Sequence, residues 1–139
     1  MSSALERLKE LTSKISSYEL TRKENYKKLR TLYTQLSLDL KCKEFEQLFS
    51  YKAVNLSGVS LQKESFGEIY EGKYLQLLAI TNVNGKNKNI SLAYFGRVEK
   101  VDEATRKSVM EFVIRYRFEK SFRTLEHYHE LIEKFETDA

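Results

Sequence analysis

The sequence predicts an α+β fold in which a small antiparallel sheet of three to four strands lies between two long helices. Two apolar segments, 74–81 and 89–95, are rich in β-branched and aromatic residues, and the turn between them contains Asn84 and Gly85. This is the pattern of a β-hairpin. All five glycines lie between residues 58 and 96, and the chain contains no proline. Long helices can therefore run without interruption on both sides of the sheet.

The N-terminal helix is predicted by a capping signal followed by a long apolar repeat. Ser3 and Glu6 have the spacing of a capping box, in which each side chain bonds the other residue's backbone N–H. Apolar residues then recur in a heptad pattern, with Arg22 and Asn25 as polar, register-setting positions in the middle. A helix of roughly 38 residues is about 57 Å long, which exceeds what a small head domain can cover. We therefore expect a coiled-coil dimer.

The residues of this predicted dimer seam are apolar and occupy the two core positions of the heptad. They are Leu8, Leu11, Ile15, Leu29, Leu32 and Leu36. A second interpretation stays open, because Thr21 and Glu24 form another capping-box pattern shortly after Ser16 and Ser17. On that interpretation the N-terminal part consists of two helices, over about 3–17 and 22–40.

The glycine-containing region predicts the remaining strands. Residues 55–59 have the composition of a turn or bulge, 59–62 that of a short strand, and 65–70 alternate apolar with polar residues. A second hairpin beside the first one is therefore expected. The predicted sheet core contains Leu77, Ala79, Ile90, Leu92 and Tyr94.

The C-terminal region predicts one long helix that packs on the sheet. Asp102 is a suitable N-cap for a helix from Glu103 to about Glu136. The apolar spacing of Phe122, Leu125, His129, Ile132 and Phe135 supports this packing. Residues 112–118 alternate as a strand would, so a break at that point is the alternative. The chain is divided into a helical segment, 1–44, and an α+β head domain, 45–139.

Residues with catalytic or metal-binding chemistry are few. Cys42 is the single cysteine, which excludes an intrachain disulfide, and we interpret it as a surface thiol between two lysines. His127 and His129 are two residues apart and therefore point to different sides of a helix. No phosphate-binding glycine loop or paired-cysteine motif occurs. We predict an intracellular protein that is not an enzyme, binds no metal or cofactor, and does not associate with a membrane.

Basic residues cluster on both predicted helices, and the net charge is +4. Such faces can contact a nucleic-acid backbone through phosphates, although a solvated helix surface has the same composition. The acidic residues near the C-terminus could neutralise one basic cluster across a dimer. The candidate nucleic-acid-binding residues are Arg22, Lys23, Lys27, Lys28, Arg30, Arg115, Arg117 and Lys120.

The layout of a coiled-coil N-terminus followed by a small α+β head resembles that of RWD-type kinetochore heads. The resemblance is one of architecture, and it assigns a role to no residue. It implies a scaffold or adaptor. The favoured function is therefore a non-catalytic protein that forms a homodimer or a coiled-coil heterodimer and presents its head to a protein partner. The alternative is a small basic homodimer that binds a nucleic-acid duplex.

Overall fold

The computed structural model describes residues 3–137, apart from the side chains of residues 14–17. Two long helices precede and follow three antiparallel strands in the chain, and short 3-10 helices lie in the connections between helices and strands, which confirms the predicted α+β fold. The elements in chain order are α1 (Ala4–Gln35), β1 (Ala53–Ser57), β2 (Tyr74–Val83), β3 (Lys86–Arg97) and α2 (Glu103–Thr137). No helix within the described range is long and apolar enough to cross a membrane.

Helix α1 begins at the predicted capping box. The Ser3 hydroxyl accepts a hydrogen bond from the Glu6 N–H at 3.1 Å, and the Glu6 carboxylate accepts one from the Ser3 N–H at 3.3 Å. The helix continues unbroken past Ser16 and Ser17, so the two-helix interpretation is wrong. It ends at Gln35, several residues earlier than predicted, and Ser37 then adopts a left-handed conformation with a φ of 58°.

The sheet has the strand order β1-β2-β3, and the hairpin between β2 and β3 is confirmed. Asn84 and Gly85 have φ angles of 54° and 81°, as a tight hairpin turn requires. The second predicted hairpin is reduced to a single bridge between Val59 and Ile69. Residues 53–57, part of which we assigned to a turn, form β1 instead, because they pair along β2 before Gly58 turns the chain away.

An irregularity in the pairing of β2 with β3 changes which side chains face the core. Leu77 pairs with Ala93 and Leu78 with Ser91, so Leu92 is an extra residue between them. A bulge of this kind interrupts the two-residue alternation of a strand. Leu77, Ala79 and Leu92 are buried as predicted, and Ile90 is partly buried. Tyr94, which we placed in the core, is 60% exposed, so that prediction is wrong.

The hydrophobic core draws on every element and continues across residue 44, where we predicted a domain boundary. Leu29 and Leu32 of α1 are buried in the same cluster as residues of the sheet and of α2. The second half of α1 is therefore an integral part of the head. The other large buried side chains of the cluster include Leu38, Leu48, Leu75, Leu77, Leu92, Phe112 and Tyr116.

Helix α2 begins at the predicted cap and has no break at 112–118. Asp102 accepts hydrogen bonds from the N–H and the hydroxyl of Thr105, at 3.2 and 2.7 Å. Phe112, Val113 and Tyr116 are buried, because the alternation in this segment coincides with the inner face of a helix. The last buried residue of α2 is Glu119.

Beyond this point the two helices extend past the head. Arg22 bonds to Glu119, and Asn25 bonds to Arg115, so α1 and α2 run antiparallel at their point of contact. The N-terminal end of α1 and the C-terminal end of α2 therefore leave the head on the same side. We refer to residues 4–21 and 124–137 as the projecting segments; all of their described side chains are exposed.

Candidate protein interface

A buried ion pair network lies where the projecting segments leave the head. Glu119 is only 1% exposed. Its carboxylate accepts two hydrogen bonds from Arg22, both at 3.0 Å, and one from Arg123 at 2.9 Å. Arg22 also forms an ion pair with Glu126. The hydrogen bonds to Glu119 raise the pKa of Arg22 above its ordinary value. This network joins α1 to α2 with fixed geometry.

Arg123 extends the network to the 3-10 helix Phe45–Ser50. Its guanidinium donates to the Glu46 carboxylate at 2.6 and 3.1 Å, and Tyr26 donates to the same carboxylate at 3.0 Å. The hydrogen bonds from Arg123 lower the pKa of Glu46. The guanidinium also lies 3.8 Å from the ring centre of Phe49, a close cation–π contact. Three segments of the chain therefore converge on one polar cluster.

Asn25 is buried and bonds within its own chain. Its side-chain amide donates to the Arg115 carbonyl at 3.0 Å, and its oxygen accepts from Arg115 Nη1 at 2.9 Å. Arg115 Nε donates to Glu111 at 2.7 Å. We predicted that Arg22 and Asn25 would set the register of a dimer. The structure corrects this, because α2 of the same chain supplies their partners.

The predicted dimer seam on α1 divides into a buried half and an exposed half. Leu29 and Leu32 are buried in the head, and Leu36 packs against the same core. A seam that uses them is incompatible with this fold, because α2 and the sheet already cover that part of the stripe. Leu8 and Leu11 lie in the projecting segment and are exposed. The side chain of Ile15 lies outside the described residues.

A second apolar stripe, on α2, is exposed except at the partly buried Phe118, and its members are four and three residues apart in turn, as in a coiled-coil seam. Leu125 follows Tyr116 by nine residues, which at about 100° per residue places it on the opposite side of α2 from that buried ring. We predicted that Leu125, Ile132 and Phe135 pack on the sheet. They are 66%, 56% and 83% exposed, because α2 continues beyond the head. The α2 stripe consists of Ile114, Phe118, Ser121, Leu125, Tyr128, Ile132 and Phe135.

An apolar groove of about 570 Å³ adjoins the head end of the α2 stripe. Met110, Ile114 and Phe118 form its wall on α2, and the exposed ring of Phe66 lies at its edge. Asn25 is among the lining residues from α1. The groove therefore extends the apolar surface of the α2 stripe onto the head.

Several of the candidate nucleic-acid-binding residues are held by their own chain. Arg22 and Arg115 belong to the contacts described above. Lys120 donates to the carbonyls of Tyr51 and Lys52 at 2.7 and 2.6 Å, and burial lowers its pKa. These three side chains point to partners inside the protein and are not free to contact phosphate.

The other candidate basic residues lie on the surface. The Arg30 guanidinium lies 5.5 Å from the ring centre of Phe45. The rest are exposed and have no ion-pair partner among residues 3–137; they are Lys23, Lys27, Lys28 and Arg117. The described basic surface is therefore smaller than the sequence predicts.

Cys42 is buried, so our interpretation of it as a surface thiol is wrong. Burial raises its pKa, and its thiol donates to the Glu44 carbonyl at 3.3 Å. His127 and His129 are both exposed. In the described part of the chain, no group of three or more His, Cys, Asp or Glu residues is arranged to hold a metal ion.

No protein-family model matches the chain, and comparisons with curated proteins and with solved structures find no similar protein. The resemblance to RWD-type kinetochore heads therefore rests on the order of the elements alone.

Proposed function

We propose that this protein is a non-catalytic interaction protein, which dimerises through its projecting segments and presents the α+β head to a protein partner. The observation that carries the proposal is the α2 stripe. It consists almost entirely of large apolar side chains, repeats at coiled-coil spacing, and is exposed along the outer face of α2 apart from the partly buried Phe118. Stripes of this spacing pack into the holes of a second helix. Contiguous exposed apolar surface of this kind is typical of protein–protein interaction sites.

The size of the stripe is sufficient for a specific contact. Half-exposed aromatic and branched side chains each offer on the order of 100 Å² of surface. The six apolar members of the stripe therefore offer roughly 600 Å² on each copy, and two copies would bury about 1,200 Å² in total. This is the lower range for stable interfaces, and the adjoining groove adds further apolar surface.

The head also has an exposed aromatic surface, separate from the α2 stripe, that supports the proposal that the head binds a protein partner. Tyr74 and Tyr94 lie on neighbouring strands with their ring centres 5.6 Å apart, and both are exposed. Tyrosine is enriched in interfaces because it combines a large apolar ring with a hydroxyl group. The Glu119 network joins the two helices to the head at the point where the projecting segments begin. Dimerisation through these segments would therefore fix the positions of the two heads.

Replacement of Leu125 and Ile132 by glutamate is expected to convert the dimer into a folded monomer. Charged side chains at core positions of a helical seam cannot be buried without a large desolvation cost. Size-exclusion chromatography with light scattering gives the mass, and circular dichroism gives the helix content. Leu20→Glu is the matched control: Leu20 is 66% exposed, the same fraction as Leu125. It lies about 200° round α1 from Arg22, away from α2.

The proposal fails if the double variant keeps the mass of the wild-type dimer. It also fails if the wild-type protein is a monomer at every concentration measured. A loss of mass in the Leu20→Glu control would show that the effect of glutamate is not specific to the α2 stripe.

The alternative function is binding to a nucleic-acid backbone, and the exposed Lys23, Lys27 and Lys28 support it. If it is correct, Lys27→Glu with Lys28→Glu should weaken binding about equally for all sequences. The salt dependence of the affinity should flatten, by roughly two counterions for two lost phosphate contacts. Mobility-shift titrations at two salt concentrations measure both effects. A wild-type protein that shifts neither duplex nor single strands at low salt eliminates this function.

A further inference from the structure

We infer that the α2 stripe, from Phe118 to Phe135, is covered by the same part of the stripe of a second copy of this chain, running in the opposite direction. The inference rests on the proposed function and names both the partner and the orientation. Packing, charge and the positions of the heads support it independently.

Packing favours the antiparallel arrangement because the stripe contains one small residue, Ser121, among large side chains. In a parallel pair each residue faces its own copy, so Ser121 faces Ser121 and leaves a gap, while Tyr128 faces Tyr128. In the antiparallel register in which Phe118 faces Phe135, Ser121 faces Ile132 and Leu125 faces Tyr128. A small residue opposite a large one fills the space between helices more evenly.

The charges on α2 are divided along its length. Residues 115–123 include four basic and one acidic residue, which leaves a net charge of +3, and residues 126–136 include four acidic and one basic residue, which leaves −3. A parallel pair would place like charges side by side, which is unfavourable, whereas an antiparallel pair places opposite charges together.

Some of these charged groups form ion pairs within the chain, but each of the two segments also contains charged groups that do not. Arg117 in the basic segment 115–123, and Glu130 and Glu136 in the acidic segment 126–136, have no ion-pair partner among the described residues. They are therefore available to the charge field of a second copy. The acidic half in particular would repel itself in a parallel pair.

The antiparallel register also places the two heads at opposite ends of the pair. With Phe118 opposite Phe135, the overlap between the two α2 helices covers residues 116–137, which is about 33 Å long. Residues 103–115 fall outside the overlap, and residues 116–123 of each copy lie beside residues 130–137 of the other. The two heads are therefore not side by side, as they would be in a parallel pair.

Cysteine cross-linking distinguishes the two orientations. Two chains are prepared, one with Ser121→Cys and an affinity tag, the other with Ile132→Cys and no tag; both positions are exposed in the single chain. The native Cys42 is buried, so the unsubstituted protein serves as the background control. The chains are mixed, allowed to exchange and oxidised mildly, and the products are identified by mass.

We expect a disulfide between the tagged and untagged chains, and at least about tenfold less product from Ser121→Cys alone. In the antiparallel register the two copies of residue 121 are displaced by 11 residues, or about 16 Å, which is too far for a disulfide. Efficient self-linking of Ser121→Cys would overturn the inference in favour of a parallel pair. If the wild-type protein is a dimer but the cysteine variants form no disulfide in either arm, the inference is overturned while dimerisation stands. A monomeric wild-type protein would instead contradict the proposed function itself.

Discussion

Leu29→Ala is expected to lower the free energy of unfolding by about 2 to 5 kcal/mol, because it removes a fully buried side chain and leaves a cavity. Leu29 has no exposed surface and lies in the core cluster that α1 shares with α2 and the sheet. Chemical denaturation followed by circular dichroism measures the loss. The effect should be the same at all protein concentrations, since the contacts that are lost belong to one chain.

Leu8→Ala is the matched control for that measurement. Leu8 occupies the same heptad position as Leu29, three heptads earlier on α1, but is 61% exposed. Its truncation should change the stability by no more than about 0.5 kcal/mol, as is usual for exposed positions. Equal losses for Leu8 and Leu29, both dependent on concentration, would show instead that α1 forms one continuous seam between two chains.

Glu119→Ala is expected to destabilise the fold by about 1.5 to 3 kcal/mol, because it removes the charged hydrogen bonds that Arg22 and Arg123 donate to a buried carboxylate. The carboxylate receives three hydrogen bonds from Arg22 and Arg123, at 2.9 to 3.0 Å. Arg22 would keep only one ion pair, with Glu126, so α1 would lose one of its contacts with α2. Thermal and chemical unfolding measure the loss.

Two further variants separate the role of the network from that of charge in general. Glu130→Ala removes an exposed carboxylate from the same helix and should cost less than about 0.5 kcal/mol. Replacement of both Arg22 and Glu119 by leucine should recover part of the stability, because a paired set of buried charges is replaced by apolar groups together. A loss for Glu119→Ala that is no larger than that for Glu130→Ala would contradict a stabilising role for the network.

Features that depend on neighbouring residues were predictable from the sequence. The capping box of Ser3 and Glu6, the Asp102 cap and the turn at Asn84 and Gly85 all rely on bonds or backbone angles within a few residues. Such local preferences act whatever the rest of the chain does. They were sufficient to predict two long helices, a hairpin and an α+β fold.

Features that depend on which segments meet were not predictable in this way. The bulge at Leu92 turns Tyr94 outward, and no residue type in β3 marks that irregularity. Three candidate phosphate-binding residues form hydrogen bonds with groups 68 or more residues away in the sequence; they are Arg22, Arg115 and Lys120. Whether a basic side chain is free depends on such partners.

The sequence by itself determined that both helices carry apolar stripes, because a side-chain pattern reports which face of a helix avoids water. Only the tertiary structure decided what covers each stripe. On α1, Leu29 and Leu32 are covered by the chain's own α2 and sheet, whereas on α2, Leu125 and Ile132 remain exposed. The physical reason is that removal of an apolar face from water is favourable whether the same chain or another one covers it. The choice between them depends on where the head ends along each helix.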